Sequence, residues 1–152
     1  MNEAPAIRLG VVVSQFNPDV SGGLLAGARQ YLAEEGLELA DGDIFSAPGA
    51  YEIPIIARAV ALSRPLDGVI CLGCVIKGDT AHFEFISLAA TMGLMTASLE
   101  INKPLSFGIL TTYTDEQAEA RSADDAHNKG REAAAACLQT VRALRSFSPR
   151  GS

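Results

Sequence analysis

Positions 77 to 82 combine a cation, an acid, a hydroxyl and an imidazole directly after an apolar run at 68–76. They are Lys77, Asp79, Thr80 and His82. If a helix begins here, its free N–H groups and its dipole favour a bound anion, and Thr80 adds a hydroxyl. An ordinary turn before a helix explains the same spacing equally well. Neither a Walker loop nor a dinucleotide-binding glycine loop is predicted, because both spacings are absent.

His82 would lie in the first turn of that helix. A lone histidine is more often an ordinary surface or packing residue. Beside a bound anion, however, its imidazole could transfer protons, because its pKa lies near working pH. His82 and Glu84 do not form a metal pair, since residues two apart on a helix point away from each other. No further ligand cluster is present, so we predict no metal site.

Unusual residues also follow the other predicted strands. Phe16 and Asn17 follow the first strand, positions 49–52 (Gly-Ala-Tyr-Glu) follow the second, and Thr111 and Thr112 lie at the end of the fourth. Loops at one edge of a parallel sheet converge, so these segments are expected to form one site. Turn chemistry alone explains the glycines and prolines. It does not explain an aromatic residue at position 16.

Two cations, Arg121 and Lys129, flank a polar and acidic segment at 122–128. On the residue pattern alone, this segment is a solvated connector, with Arg121 in the last turn of a short helix where the dipole favours it. Glu52 is equally compatible with an acidic helix start.

The cysteines are Cys71, Cys74 and Cys137, and the first two form a C-x-x-C pattern. In a redox protein this spacing can mark a reactive pair. Here it falls inside a predicted strand, where residues three apart point to opposite faces. We therefore interpret all three thiols as small buried hydrophobic groups.

Strands and helices alternate along the chain. This pattern predicts a single domain (1–152, core about 7–145) with right-handed crossovers: a three-layer α/β/α sandwich, flavodoxin-like, with a four-stranded parallel sheet. The predicted strands are 7–13, 43–47, 68–76 and 105–112. The predicted helices begin at a Ser21 N-cap and near 55, 81, 116 and 128. The apolar stripe of the third helix comprises Phe85, Leu88, Ala89 and Met92, and the residues expected to face inward in the last are Ala133, Ala136, Cys137, Thr140, Val141 and Leu144.

Composition excludes several classes of function. The net charge is −6 with no block of Lys or Arg, so no nucleic-acid partner is predicted. No apolar run approaches the roughly 18 to 20 residues that a bilayer span needs, so no membrane partner is predicted. The first residues lack the basic and apolar regions of an export signal, and we expect a cytoplasmic protein.

Several segments together resemble the lumazine synthase family, from about residue 8 to residue 145. In order along the chain they are SQFN at 14–17, APGAYEIP at 47–54, LGCVIKGDTAHFE at 72–84, FGILTT at 107–112, EQA at 116–118, Arg121 and NKG at 128–130. The resemblance implies an enzyme, a transferase of riboflavin biosynthesis. It would condense 5-amino-6-(D-ribitylamino)uracil with 3,4-dihydroxy-2-butanone 4-phosphate, giving 6,7-dimethyl-8-ribityllumazine, phosphate and water. No cofactor is implied.

The resemblance also implies a role for each matching residue. Phe16 would stack on the pyrimidine, and the backbone at 49–52 with the Glu52 carboxylate would hold the ribityl hydroxyls. Backbone groups of Val75 and Ile76 would meet the uracil edge. Arg121 and the amides of Asp79 and Thr80 would bind phosphate, and His82 would transfer protons. Phe107 and Lys129 would line the shared pocket or come from a neighbouring subunit. The implied catalytic residues are His82 and Arg121, and the implied substrate-binding residues are Phe16, Asn17, Gly49, Ala50, Tyr51, Glu52, Cys74, Val75, Ile76, Asp79, Thr80, Phe107 and Lys129.

The family forms pentamers, some of which build icosahedral shells, so the resemblance implies a homo-oligomer (a pentamer or multiples of it). Three other hypotheses remain open from sequence. The first is a catalytically weak paralogue that binds lumazine or flavin. The second is a riboflavin synthase of the archaeal type, for which a phosphate site would be pointless. The third is a flavodoxin-like electron carrier, which would need a different loop after the first strand.

Overall fold

The computed structural model describes residues 5–15 and 17–147. Four strands and five helices alternate within these residues. The strands are β1 (Leu9–Ser14), β2 (Ile44–Ala47), β3 (Gly68–Ile76) and β4 (Leu105–Thr112). The helices are α1 (Pro18–Glu34), α2 (Ile53–Ser63), α3 (His82–Ile101), α4 (Asp115–Ser122) and α5 (Lys129–Ser146). The predicted positions of β3 and β4 are confirmed at both ends.

The four strands form one parallel sheet in the order β2-β1-β3-β4. The predicted fold class, a three-layer α/β/α sandwich of the flavodoxin-like type, is confirmed. Because all strands run the same way, their carboxyl ends meet at one edge of the sheet. At that edge Ser14 pairs with Ala47, and Ile76 pairs with Thr112.

Two apolar cores lie on the two faces of the sheet. Side chains of β3 alternate between them: Ile70 and Leu72 pack with α1 and α5, whereas Val69 and Val75 pack with α2 and α3. Burial on both faces is typical of a central parallel strand. Fully burying one such side chain stabilises the fold by about 1.5–3 kcal/mol.

The N-cap of α1 is Asn17, so the expected cap at Ser21 is wrong. Asn17 adopts a left-handed backbone conformation with φ of 53°. Its side-chain oxygen accepts a hydrogen bond from the N–H of Val20 at 3.4 Å. Pro18 then occupies the start of the helix, where its missing N–H costs nothing.

The inward face of α3 also differs from the prediction. Phe85, Leu88 and Met92 are exposed, by 70%, 58% and 60%. Ala90 and Leu94 are buried instead. These two, with Ala97, lie close to the sheet and to α2, leaving the larger side chains on the open face. The helix is apolar all round, so its periodicity does not reveal which face packs.

Helix α5 shows a smaller phase error. The expected inward residues Ala136 and Thr140 are exposed, whereas Ala134 and Leu138 are buried. Cys137 and Val141 face inward as expected. The alanine-rich sequence gives little contrast between neighbouring faces of this helix.

By length and composition, α3 could cross a membrane: it has 20 residues and a mean hydropathy of 1.2. The expectation that no segment is long and apolar enough to cross a bilayer is therefore wrong for α3. A single such helix is weak support for a membrane protein, because helices of other proteins pass the same test. Only 17% of the apolar stretch of α3 is buried within the chain.

An ion pair between Arg8 and Asp43 ties the start of β2 to the residues before β1. The Nε of Arg8 donates to Oδ2 of Asp43 at 2.8 Å, and its Nη2 donates to Oδ1 at 2.7 Å. Asp43 is 3% exposed. The hydrogen bonds from Arg8 lower the pKa of the Asp43 carboxyl, outweighing the opposite effect of burial.

We predict that Asp43→Asn lowers the free energy of unfolding at neutral pH by roughly 1–3 kcal/mol, because charge-assisted hydrogen bonds to a buried group are lost. A lowered folded-state pKa stabilises the fold above the unfolded value of about 3.9, and this contribution disappears as pH falls through the folded pKa. The variant should therefore lose less stability than the parent on acidification. Urea unfolding at several pH values measures both effects.

Asp41→Asn is the matched control. Asp41 pairs with Arg29 at 3.1 Å, but its side chain is 95% exposed. Exposed pairs contribute about 0–1 kcal/mol, so this variant should unfold almost like the parent. Equal effects of the two substitutions would contradict the assigned role of Asp43.

Candidate active site

One cavity of about 390 Å³ opens beyond the carboxyl ends of β2 and β3. A short 3-10 turn at Ala50–Glu52, the end of β3 and the first turns of α3 surround it. We call it the Gly49 cavity. Its lining residues are Gly49, Ala50, Tyr51, Glu52, Cys74, Val75, Ile76, His82 and Ile86.

The Gly49 cavity has an apolar wall and a polar rim. Val75 and Cys74 belong to the cores of the domain and are almost completely buried. Glu52 is half-buried, and a Cβ at Gly49 would approach its Oε1 to 3.2 Å. The Glu52 carboxylate therefore lies beside the Gly49 backbone. Together with His82, the cavity offers a flat apolar surface, one hydrogen-bond acceptor and one group able to transfer protons.

The turn at 77–81 lies outside this cavity. The Thr80 hydroxyl accepts a hydrogen bond from the N–H of His82 at 3.3 Å, which engages one of the free N–H groups at the start of α3. Asp79 and Thr80 are exposed and do not line the Gly49 cavity. The Lys77 ammonium lies 5.6 Å from the centre of the Tyr113 ring, a cation–π contact.

A second cavity, of about 680 Å³, lies along the edge strand β4 beside α4 and α5. We call it the Arg121 cavity. It is lined by Phe107, Ile109, Leu110, Thr111, Thr112, Ala120, Arg121, Asp125, His127, Lys129 and Glu132. It is the more polar of the two, because cations and acids from three elements meet there.

Local hydrogen bonds position the cations of the Arg121 cavity. Thr114 caps α4 by accepting from the N–H of Gln117 at 3.1 Å. The Nη1 of Arg121 donates to the carbonyl of Gln117 at 3.1 Å, which turns the guanidinium back along α4. Lys129 begins α5, and its Nζ lies 3.6 Å from a carboxylate oxygen of Glu132.

Most of the predicted site residues therefore fall into two groups, whereas Asp79 and Thr80 line neither cavity. The structure brings His82 together with the residues at 49–52 and 74–76, and it places Arg121 with Phe107 and Lys129 in a separate cavity. Convergence on one site is not achieved within the single chain. Asn17 caps α1, as described above, and Phe16 lies outside the described residues.

Comparison with known proteins identifies the family. A family model described as 6,7-dimethyl-8-ribityllumazine synthase matches residues 6–145. The chain belongs to this family. The resemblance inferred from the sequence is thereby confirmed, and with it the assignment to a family of enzymes.

Curated relatives agree with the family model. The chain is 64% identical over 138 residues to 6,7-dimethyl-8-ribityllumazine synthase 1 of Caulobacter vibrioides, covering 91% of this chain and 90% of that protein. It is 42% identical to the 6,7-dimethyl-8-ribityllumazine synthase of Syntrophus aciditrophicus, and the match covers 95% of this chain and 94% of that protein. It is 44% identical to the 6,7-dimethyl-8-ribityllumazine synthase of Nitratidesulfovibrio vulgaris, and the match covers 93% of this chain and 91% of that protein.

Sequence reasoning missed several residues of the two cavities. Ile86 lines the Gly49 cavity, and its position one turn after His82 was a usable signal. His127 and Glu132 line the Arg121 cavity. Glu132 follows Lys129 by three residues, the spacing at which opposite charges meet on a helix. His127 gave no such signal, since it lies in the irregular segment before α5.

The three thiols are buried and unreactive in character. Burial raises the pKa of Cys74 to about 11 and that of Cys137 to about 12, and it raises the pKa of Cys71 as well. Cys71 and Cys74 belong to opposite cores, which confirms that the C-x-x-C pattern is not a redox pair. Only the thiolate is a nucleophile, so these thiols are protonated and inert near neutral pH.

We predict that the folded protein resists alkylation by iodoacetamide at pH 7. With a pKa near 11, roughly one part in 10⁴ of the Cys74 thiol is ionised at that pH. All three thiols should react promptly in urea. Mass spectrometry of the alkylated protein provides the measurement, with unfolded protein as the control. Rapid labelling of Cys74 alone in the folded state would show that the cavity wall opens.

Proposed function

We propose that the chain catalyses the condensation of 5-amino-6-(D-ribitylamino)uracil with 3,4-dihydroxy-2-butanone 4-phosphate to 6,7-dimethyl-8-ribityllumazine, phosphate and water. The observation that carries this proposal is the composition of the two cavities. One suits a flat heterocycle with a polyol side chain, and the other suits a phosphate. Family membership supports the same reaction.

The Gly49 cavity is the proposed site of the pyrimidine. Its ring would lie against Val75 and Ile76. These residues pair with β4 on one side, whereas β1 pairs with β3 only as far as Leu72, so their other side is open. The ribityl hydroxyls would donate to the Glu52 carboxylate beside Gly49. Tyr51 is 60% exposed, so its hydroxyl can meet solvent or substrate.

The Arg121 cavity is the proposed site of the phosphate. Arg121 offers a planar set of donors that matches phosphate oxygens, and Lys129 adds a point charge. Asp125 and Glu132 line the same cavity and reduce its positive charge. Because the phosphate leaves during the reaction, cations at this position stabilise the charge that develops on it.

His82 is the proposed proton carrier. The aromatic amine attacks the ketone carbon, and a first water departs to leave an imine. Loss of a proton from carbon and of phosphate then gives an enol, which tautomerises to the second carbonyl. The ribitylamino nitrogen closes the ring on that carbonyl with loss of a second water. These steps move protons among nitrogen, oxygen and carbon. An imidazole at the rim of the Gly49 cavity is placed to do this, and general acid–base catalysis of this kind contributes about 10²–10⁴-fold. Positioning of the two substrates supplies much of the remainder.

We further propose that the working enzyme is a homo-oligomer, a pentamer or a multiple of it. The Gly49 cavity and the Arg121 cavity, which would each hold one substrate, are different surfaces of one chain. A contact that brings the Gly49 cavity of one subunit to the Arg121 cavity of the next is head-to-tail, and such contacts form a ring where the rotation between subunits closes. The number five comes from the family resemblance.

The open face of α3 supports the same assembly. Phe85, Leu88, Met92, Met95 and Leu99 are all exposed, at alternating spacings of three and four residues. This spacing is the seam by which helices pack side by side in coiled coils. A continuous apolar stripe of this kind is rarely left open to solvent. In a ring, copies of α3 would cover each other around the central axis.

We predict that His82→Ala lowers kcat by about 10²-fold or more, because the proton carrier is lost. Arg121→Ala should raise the KM for the butanone phosphate, since the phosphate loses its bidentate partner, and should also lower kcat, since the charge that develops on the leaving phosphate loses its cation. Product formation followed by lumazine absorbance measures both constants. Arg142→Ala, which removes an exposed pair with Glu35 outside both cavities, is the control and should retain full activity.

The outcome for the parent protein decides between the reaction and binding alone. Acceleration over the spontaneous background establishes the enzyme. Tight lumazine binding without acceleration would instead identify a binding paralogue.

We predict that subunits of His82→Ala and Arg121→Ala restore activity when unfolded together and refolded as a mixture. Some interfaces in the mixed ring then join an intact Gly49 cavity to an intact Arg121 cavity. Sedimentation equilibrium gives the mass of the assembly. Leu99→Glu, on the seam of α3, should reduce that mass and prevent the restoration. A mixture no more active than its components would show that each site lies within one chain.

A further inference from the structure

Helix α1 presents two glycines, Gly23 and Gly27, to the turn that joins α4 to α5. They are four residues apart and therefore lie on one face of the helix. A Cβ at Gly23 would collide with the carbonyl oxygen of Ser122, and one at Gly27 would collide with the side chain of Asn128. The turn thus packs directly on the backbone of α1, and glycine is required at both positions.

Asn128 is the polar contact within this packing. It is 1% exposed. Its Nδ2 donates to the carbonyl of Gly23 at 3.0 Å and to the carbonyl of Ala123 at 2.9 Å, and its Oδ1 accepts from the N–H of Arg131 at 3.0 Å. Both amide hydrogens and the oxygen are used, so the side chain is held in one orientation.

These bonds bracket the two cations of the Arg121 cavity. Ala123 lies two residues after Arg121, and Lys129 directly follows Asn128. The same amide therefore fixes the end of α4 and the start of α5 to a third element, α1. The separation between Arg121 and Lys129 depends on this attachment, because the segment at 123–128 that joins the two helices is neither helix nor strand.

We propose that Asn128 is a positioning residue for phosphate recognition: it holds Arg121 and Lys129 at the spacing that the phosphate of the four-carbon substrate requires. This inference rests on the proposed function. It assigns no contact between Asn128 and the substrate. It predicts a selective effect on the phosphate-bearing substrate, because the Gly49 cavity makes no use of the turn.

Asn128→Ser provides the sharpest test. Serine keeps an oxygen that caps α5 but is too short to reach the Gly23 carbonyl. We expect the KM for the butanone phosphate to rise about tenfold or more, as for other misplaced binding groups. The KM for the pyrimidine should stay within about twofold of the parent. The affinity for inorganic phosphate, measured by calorimetry, should fall in parallel with the first constant.

Two further variants complete the design. Gly27→Ala displaces Asn128 while keeping all its atoms, so it gives the same selective change if Asn128→Ser fails to fold. Val141→Ala removes buried contacts from the far part of α5 and serves as a control for destabilisation alone. It should lower thermal stability and leave both KM values unchanged.

Two results would overturn the inference. One is an equal rise of both KM values in Asn128→Ser and Gly27→Ala. The other is a loss of thermal stability with unchanged KM values and unchanged phosphate affinity, as expected of a purely structural residue. If the parent protein itself forms no product, the proposed reaction is wrong, and the phosphate calorimetry still decides whether Asn128 positions an anion site.

Discussion

The burial of β3 on both faces is the constraint on which the rest of the structure depends. Helices cover both sides of the sheet, so every residue from Gly68 to Val75 is buried. Polar chemistry cannot be placed along such a strand, because each buried polar group would need its own partner. Polar groups are therefore confined to the end of β3, beyond the residues that pair with β1. The Gly49 cavity lies at that point, and His82 is the first residue of the helix that follows.

The proposed assembly would account both for the separation of the two cavities and for the open apolar face of α3. β4 is an edge strand, and it separates the cavity with the cations from the cavity with the imidazole. A chain that carried both halves of a site and an apolar seam, but remained alone, would expose the seam to water and bring no phosphate to His82. Association would cover the seam and unite the halves at once.

Sequence predicted the fold better than it predicted the faces of the helices. The runs at 68–76 and 105–112 are apolar and bounded by turn residues, so both strands were placed correctly. The prediction of which face of α3 is buried was wrong, because Phe85 and Leu94 are both strongly apolar and only the fold shows which one contacts the sheet. The candidate site residues were found from motifs, yet their division between two cavities depends on strand order, which no local pattern contains. Ser21 failed as a cap for a local reason: Asn17 precedes Pro18, a stronger start signal.

The glycines of α1 lower the intrinsic stability of this helix but allow close packing against it. Glycine inside a helix costs roughly 1 kcal/mol relative to alanine, and α1 contains Gly22, Gly23 and Gly27. The helix persists because Leu24 and Leu32 are buried against the sheet. The cost at Gly23 and Gly27 allows the turn carrying the cations to rest on a rigid backbone. Cations on a free loop would lose conformational entropy each time a phosphate bound, whereas cations attached through Asn128 have lost it already on folding.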